Sequence, residues 1–202
     1  MTGKFDWSHP AAMDDEALLR ECTAGQGRGS GPGGQHRNKV ETKVTLTHTP
    51  TGIAAAAGER RTARENRREA LRRLRLKLAT EHRAPVPSGE IGSDLWRVRR
   101  TMPKGGQHSA GKRPATPQTV GLPKPRAPGP RGRIAGHPSH RDYPSLLAEA
   151  MDVIADAGWE LDRASLRLEV SRSQLLKLVK EHPPALGKLN EERAKLGAHP
   201  LK

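Results

Sequence analysis

The sequence predicts an α+β fold. A small β-sheet packs on a basic helix, and an open linker then leads to a small all-α carboxy-terminal domain. Three observations carry that expectation. Lys43-Val44-Thr45-Leu46-Thr47-His48 alternates with period two, the pattern of a half-buried strand. Ala63, Ala70, Leu71, Leu74 and Leu78 recur at helical spacing over 61–81. Residues 84–142 are studded with proline from Pro85 to Pro138, which forbids long elements.

Composition sets the outer limits. Only 33% of the 202 residues are hydrophobic and 2% aromatic, too little apolar mass for a large core. A formal charge of +14 points to a polyanion, and RNA, DNA or an acidic membrane would each satisfy it. No apolar run is long enough to span a bilayer. Met1 to Leu19 is acidic and lacks an apolar core, unlike a signal or transit peptide. Cys22 is the only cysteine, so neither an intrachain disulfide nor a cysteine-cluster zinc site is expected. The nine histidines show no His-Glu-x-x-His spacing. The expectation is a cytoplasmic protein without metal, cofactor or membrane partner, and nothing suggests a dimer seam.

Taken in order, residues 1–15 read as a flexible leader, and 16–83 as the mixed domain. Asp14 to Glu21 forms a helical turn or leads into a strand. Glu21 to Gly27 is a strand weakened by glycine. From Gly29 to Gly34, four glycines and a proline in six residues exclude helix and strand alike. Arg28, Arg37 and Lys39 flank this loop, and Gln35 supplies an amide that both donates and accepts. After the strand 43–48, Thr49-Pro50-Thr51-Gly52 suits a turn with proline second and glycine fourth. Ile53 to Ala57 returns as the paired strand, its alanines letting a helix come close. Arg64, Arg68, Arg72 and Arg75 fall away from the apolar stripe of the helix 61–81. They form either a solvated face or an RNA contact.

Residues 84–142 form a basic linker. Arg97 to Arg141 contains no acid at all. Trp96 either docks on the first domain or stacks on a base. From Tyr143, helices are expected over 144–155, 162–168, 171–181 and 186–196, with Ser171 as an N-cap and Pro183-Pro184 as a stop. Ala164 to Leu175 resembles a helix-turn-helix, with Glu169 where the turn usually has glycine; a plain three-helix bundle fits as well. Arg172, Lys177 and Lys180 on the second helix suit phosphate as readily as bases.

Gly33-Gly34-Gln35, followed by Asn38-Lys39-Val40-Glu41-Thr42 and Thr47-His48-Thr49-Pro50-Thr51-Gly52-Ile53, resembles the peptidyl-tRNA hydrolysis domain of class I peptide chain release factors. The resemblance covers roughly 16–83. It implies hydrolysis of the ester joining a nascent peptide to its tRNA, within the peptidyl transferase centre. The family's catalytic tripeptide falls on Gly33, Gly34 and Gln35. There the backbone N–H of the glutamine donates to the transition state, and the ribosome supplies most of the site. RNA contacts are implied for Arg28, His36, Arg37, Asn38, Lys39, Arg60, Arg61, Arg64 and Arg68. His36 suits a phosphate or base contact better than a general base. The implied partners are large-subunit rRNA and peptidyl-tRNA. The basic linker could occupy the mRNA channel.

The chain departs from the family pattern in one place. A Ser-Gln pair usual near the start of the basic helix appears as Thr62-Ala63. A second Gly-Gly-Gln, at Gly105-Gly106-Gln107, lacks the flanking string and reads as coincidence. Little chain precedes Gly33, so the resemblance is to short, codon-independent rescue hydrolases rather than to stop-codon readers. The competing reading is a nucleic-acid-binding regulator whose carboxy-terminal helices bind the target while the glycine-loop domain serves only as an RNA clamp.

Overall fold

The computed structural model of the chain describes residues 7–27, 41–87, 92–101 and 132–202. The sheet comprises β1 (Cys22–Gly27), β2 (Lys43–His48) and β3 (Ala54–Ala57), antiparallel and in that spatial order. Gly27 stands opposite Lys43, and Val44 opposite Ala57. The β2–β3 connection closes as its turn residues require. Gly52 takes a φ of 70°, in the region where a β-carbon is penalised, and its N–H donates to the His48 carbonyl at 2.8 Å. Val44, Leu46, Ala55 and Ala57 are buried beneath α2 (Ala63–Glu81).

The start of the chain differs from expectation. Residues 7–15, anticipated as loose leader, are packed. Pro10–Ala12 form a 3-10 turn in which His9 and Ala11 are buried. The Ala11 carbonyl accepts from Arg75 Nη1 at 2.7 Å and from Ser145 Oγ at 3.2 Å. Burial drives the His9 imidazole down to about 3, and its Nδ1 accepts from the Ala11 N–H at 3.0 Å, as a neutral ring can. A short helix, α1 (Asp15–Arg20), follows, capped by the Asp14 carboxylate on the Ala17 N–H.

Part of the anticipated linker is also ordered. Within it stand α3 (Asp94–Arg99), β4 (Arg100–Thr101) and β5 (Arg133–Ile134), the two strands paired antiparallel. The cause is one large apolar side chain. Trp96 is fully buried and donates Nε1–H to the Leu168 carbonyl at 3.1 Å. Of the two sites open to it in the sequence, neither holds: the ring sits in the carboxy-terminal helical layer. Ser93 caps α3 by accepting from the Trp96 N–H.

Four helices complete the chain: α4 (Tyr143–Asp156), α5 (Leu161–Arg167), α6 (Arg172–Lys180) and α7 (Pro183–Lys195). Pro183-Pro184 opens α7 rather than merely ending α6, because proline at the first helical positions lacks only an N–H the helix leaves unused. Between α5 and α6, Glu169 has a φ of 52°, the conformation a glycine would take at lower cost. Ser171 caps α6 through the Gln174 N–H.

α4 is apolar on nearly every side and therefore central. It packs against α2, α5, α6 and the Pro10–Ala12 turn. Covering α2 by the sheet and by α4 buries Leu76, Ala79 and Thr80 in addition to its expected stripe. Two carboxylates on α4 are buried in the joint, and both are satisfied. Asp152 accepts from Trp7 Nε1 at 3.0 Å and from Arg83 Nη1 at 2.9 Å. Glu149 accepts from the Ser93 N–H and Oγ, each at 2.6 Å. Burial outweighs these donors and lifts both carboxyls, Asp152 to about 6.

Candidate nucleic-acid interface and loop anchor

The string Gly33 to Val40 leaves the sheet between Gly27 and Lys43, which face each other across β1 and β2. β3 ends at that same edge, since Ala57 pairs with Val44. The chain then turns through Gly58 and Glu59 to Arg60 and enters α2. Antiparallel pairing thus places the two roots of the loop beside the start of the basic helix. Gly58 shows how close they are, since a β-carbon there would stand 3.2 Å from Lys43 Cβ. Gly33, Gly34, Gln35, Arg28, His36, Arg37, Asn38 and Lys39 lie outside the described residues, as does the second Gly-Gly-Gln.

Asn66 holds this junction together. It is fully buried in the first turns of α2. Its Nδ2 donates to the Thr42 carbonyl at 2.6 Å and to the Arg60 carbonyl at 3.0 Å. Its Oδ1 accepts from the Arg60 N–H at 2.8 Å. One amide therefore ties the returning root of the loop to the turn ahead of the helix. Thr62 keeps the helix start intact despite the departure noted there. Its hydroxyl caps the helix by accepting from the Glu65 N–H at 3.2 Å, and it donates to the Glu65 carboxylate at 2.8 Å.

Replacing Asn66 with aspartate keeps the size and the acceptor but turns two donated bonds into two carboxylate–carbonyl repulsions. A stability loss of about 2–3 kcal/mol in urea unfolding is expected. A loss below about 0.5 kcal/mol would mean that the amide does not anchor the loop root.

The arginines of α2 and of the turn before it differ in their partners. Arg60, Arg61, Arg64 and Arg68 are exposed beside the loop root, and among the described residues none has a carboxylate within salt-bridge distance. Arg73 and Arg75 are structural. Arg73 donates to the Ala56 carbonyl at 2.9 Å and pairs with Glu59, while Arg75 is only 11% exposed and meets Asp15 at 2.8 Å. Arg72 is tied to Glu69 on its own helix at 3.0 Å. Arg75 therefore leaves the set of expected RNA contacts, because its guanidinium holds the Ala11 turn.

The fold thus sets the two roots of the glycine string on a small sheet, near guanidinium groups that have no carboxylate partner among the described residues. Residues 19–93 match the RF-1 domain. The chain is a class I release factor-like protein. It is 33% identical over 138 residues to peptide chain release factor 1 of Acidiphilium cryptum, covering 68% of this chain and 35% of that protein. It is 53% identical over 75 residues to peptide chain release factor 2 of Caulobacter vibrioides, covering 36% of this chain and 20% of that protein. The chain spans about a third of the length of the former relative. No solved structure matches it. Among the described residues no helix is long and apolar enough to cross a membrane, and no group of three His, Cys, Asp or Glu could hold a metal ion.

Proposed function

We propose that this protein triggers hydrolysis of the peptidyl-tRNA ester in the peptidyl transferase centre of the ribosome, without reading a codon. The observation that carries the reading is the string Gly33 to Thr42 set between the paired ends of β1 and β2, inside a matched RF-1 domain. Such a loop brings few reactive groups of its own. It brings glycines that let backbone approach crowded RNA, and an N–H at Gln35 to aim at the developing oxyanion. Arg60, Arg61, Arg64 and Arg68, exposed and without a carboxylate partner among the described residues, support an rRNA contact. In this reading Arg28, His36, Arg37, Asn38 and Lys39 contact RNA around the tip, the ribosome is in the cytoplasm, and the protein acts as a monomer.

Codon independence rests on the acid-free stretch Arg97 to Arg141, a polycation suited to an mRNA channel left empty. The alternative is codon reading. The stretch contains Pro114-Ala115-Thr116 and Pro117-Gln118-Thr119, of the Pro-x-Thr form, but they follow the hydrolytic domain, whereas codon-specific members of the resembled family carry their recognition domain ahead of it. Peptide release from purified ribosomes separates the two. Release is expected when the mRNA ends in the decoding site, and it should be no faster with a stop codon there. Release only on stop codons would reject codon independence. No release on any ribosome state would reject hydrolysis itself. We further propose that α5 and α6 form a helix-turn-helix-like pair, which would serve as an added RNA grip.

A further inference from the structure

Two concavities on the carboxy-terminal side share a residue. One, of about 360 Å³, lies between β5 and α6 and is lined by Arg99, His137, His140, Gln174 and Lys177. The other, of about 350 Å³, lies between α2 and the turn 139–141 and is lined by Arg68, Arg72, Arg75, His140, Arg141 and Asp15. His140 lines both, so the two adjoin at this residue. The ring is held there: it lies 3.0 Å from Arg99 Nη2, and Asp142 accepts from Arg99 Nε at 3.1 Å. Along the track, Arg68, Arg72, Arg141, Arg99 and Lys177 stand against Asp15, Glu69 and Asp142, while Arg75 is committed to the Ala11 turn. Five available cations face three carboxylates. Arg68 at one end and Lys177 at the other are exposed and have no ion-pair partner among the described residues.

We propose that this track binds the phosphodiester backbone of an RNA strand, running from Arg68 past Arg141 and His140 to Lys177. It extends the arginine face of α2 onto the carboxy-terminal helices. Chemistry favours a backbone over a single nucleotide. Among the described residues no tryptophan, tyrosine or phenylalanine lines either concavity, so they offer no platform for stacking a base. Two adjoining cavities carrying cations at both ends suit a chain of phosphates. The identity of the RNA as ribosomal rests on the proposed function; the phosphate chemistry does not.

The test is a salt titration of binding by the full chain to two probes, a single-stranded RNA of about twelve nucleotides and purified large ribosomal subunits. Each lost phosphate contact on a single strand should flatten the plot of log affinity against log salt by about 0.7. Lys177→Gln and Arg68→Gln should each do so, and the double variant should lose about 1.4. Both side chains are exposed, so folding should be unaffected, which a thermal melt checks. A Lys177→Gln slope equal to wild type on either probe overturns the inference. So does equal competition by a mononucleotide, which would mark a small-molecule site. Peptide release is not read here, so a protein that binds as expected but releases no peptide sinks the proposed function alone.

Discussion

Replacing Trp96 with alanine is expected to destabilise the chain by about 3–5 kcal/mol, the range for emptying a buried aromatic site. The ring is fully buried, and its Nε1–H is the partner of the Leu168 carbonyl. Truncation therefore opens a cavity and leaves that carbonyl unsatisfied. For a chain of this size the melting temperature should fall by roughly 10 °C. Trp96→Phe separates the two effects: it fills most of the space but cannot donate, so about 1 kcal/mol should be lost from the hydrogen bond alone. Urea unfolding of both variants measures this. If Trp96→Ala changed stability by less than about 0.5 kcal/mol, residues 92–101 would be open chain in solution, as their composition suggests.

That contrast shows which parts of the fold were legible. β2, β3 and α2 were readable because their periodicities are local and their turn residues unambiguous. α4, α5 and α6 were readable within a residue or two for the same reason. What local pattern hides is who covers whom. Trp7, Ala11 and Trp96 each sit in a polar or proline-rich neighbourhood that reads as loose chain. Their partners, Asp152, Arg75 and Leu168, lie far along the sequence. No window reveals a buried carboxylate pair on α4 satisfied by Trp7, Arg83 and Ser93.

The candidate site divides in the same way. The glycine string and the basic helix stand out as residues. That Asn66 locks one to the other, and that Arg75 belongs to the core while Arg64 and Arg68 do not, depends on the third dimension. Guanidinium groups look alike in sequence; only their partners divide them. The two Gly-Gly-Gln strings are alike too, and both fall between paired strands, β1–β2 for the first and the two-residue β4–β5 for the second; what sets the first apart is the Asn38-to-Thr42 string that follows it.

Gly34→Ala should therefore slow peptide release about a hundredfold, equivalent to ~3 kcal/mol of lost transition-state stabilisation. On the proposed mechanism the decisive donor is the Gln35 N–H, and the methyl group added one residue earlier displaces it from the developing oxyanion. The loss should appear in the maximal rate at saturating protein, with ribosome affinity within about twofold of wild type, because only the transition state uses that donor. Gly106→Ala is the matching change in the second string and should leave release unchanged. The comparison also guards against an indirect effect. Gly34 is not among the paired residues of β1 and β2, so the melting temperature should hold. Equal rates for wild type and Gly34→Ala would remove the tripeptide from the chemistry. A hundredfold loss in Gly106→Ala instead would move the chemistry to the proline-rich stretch.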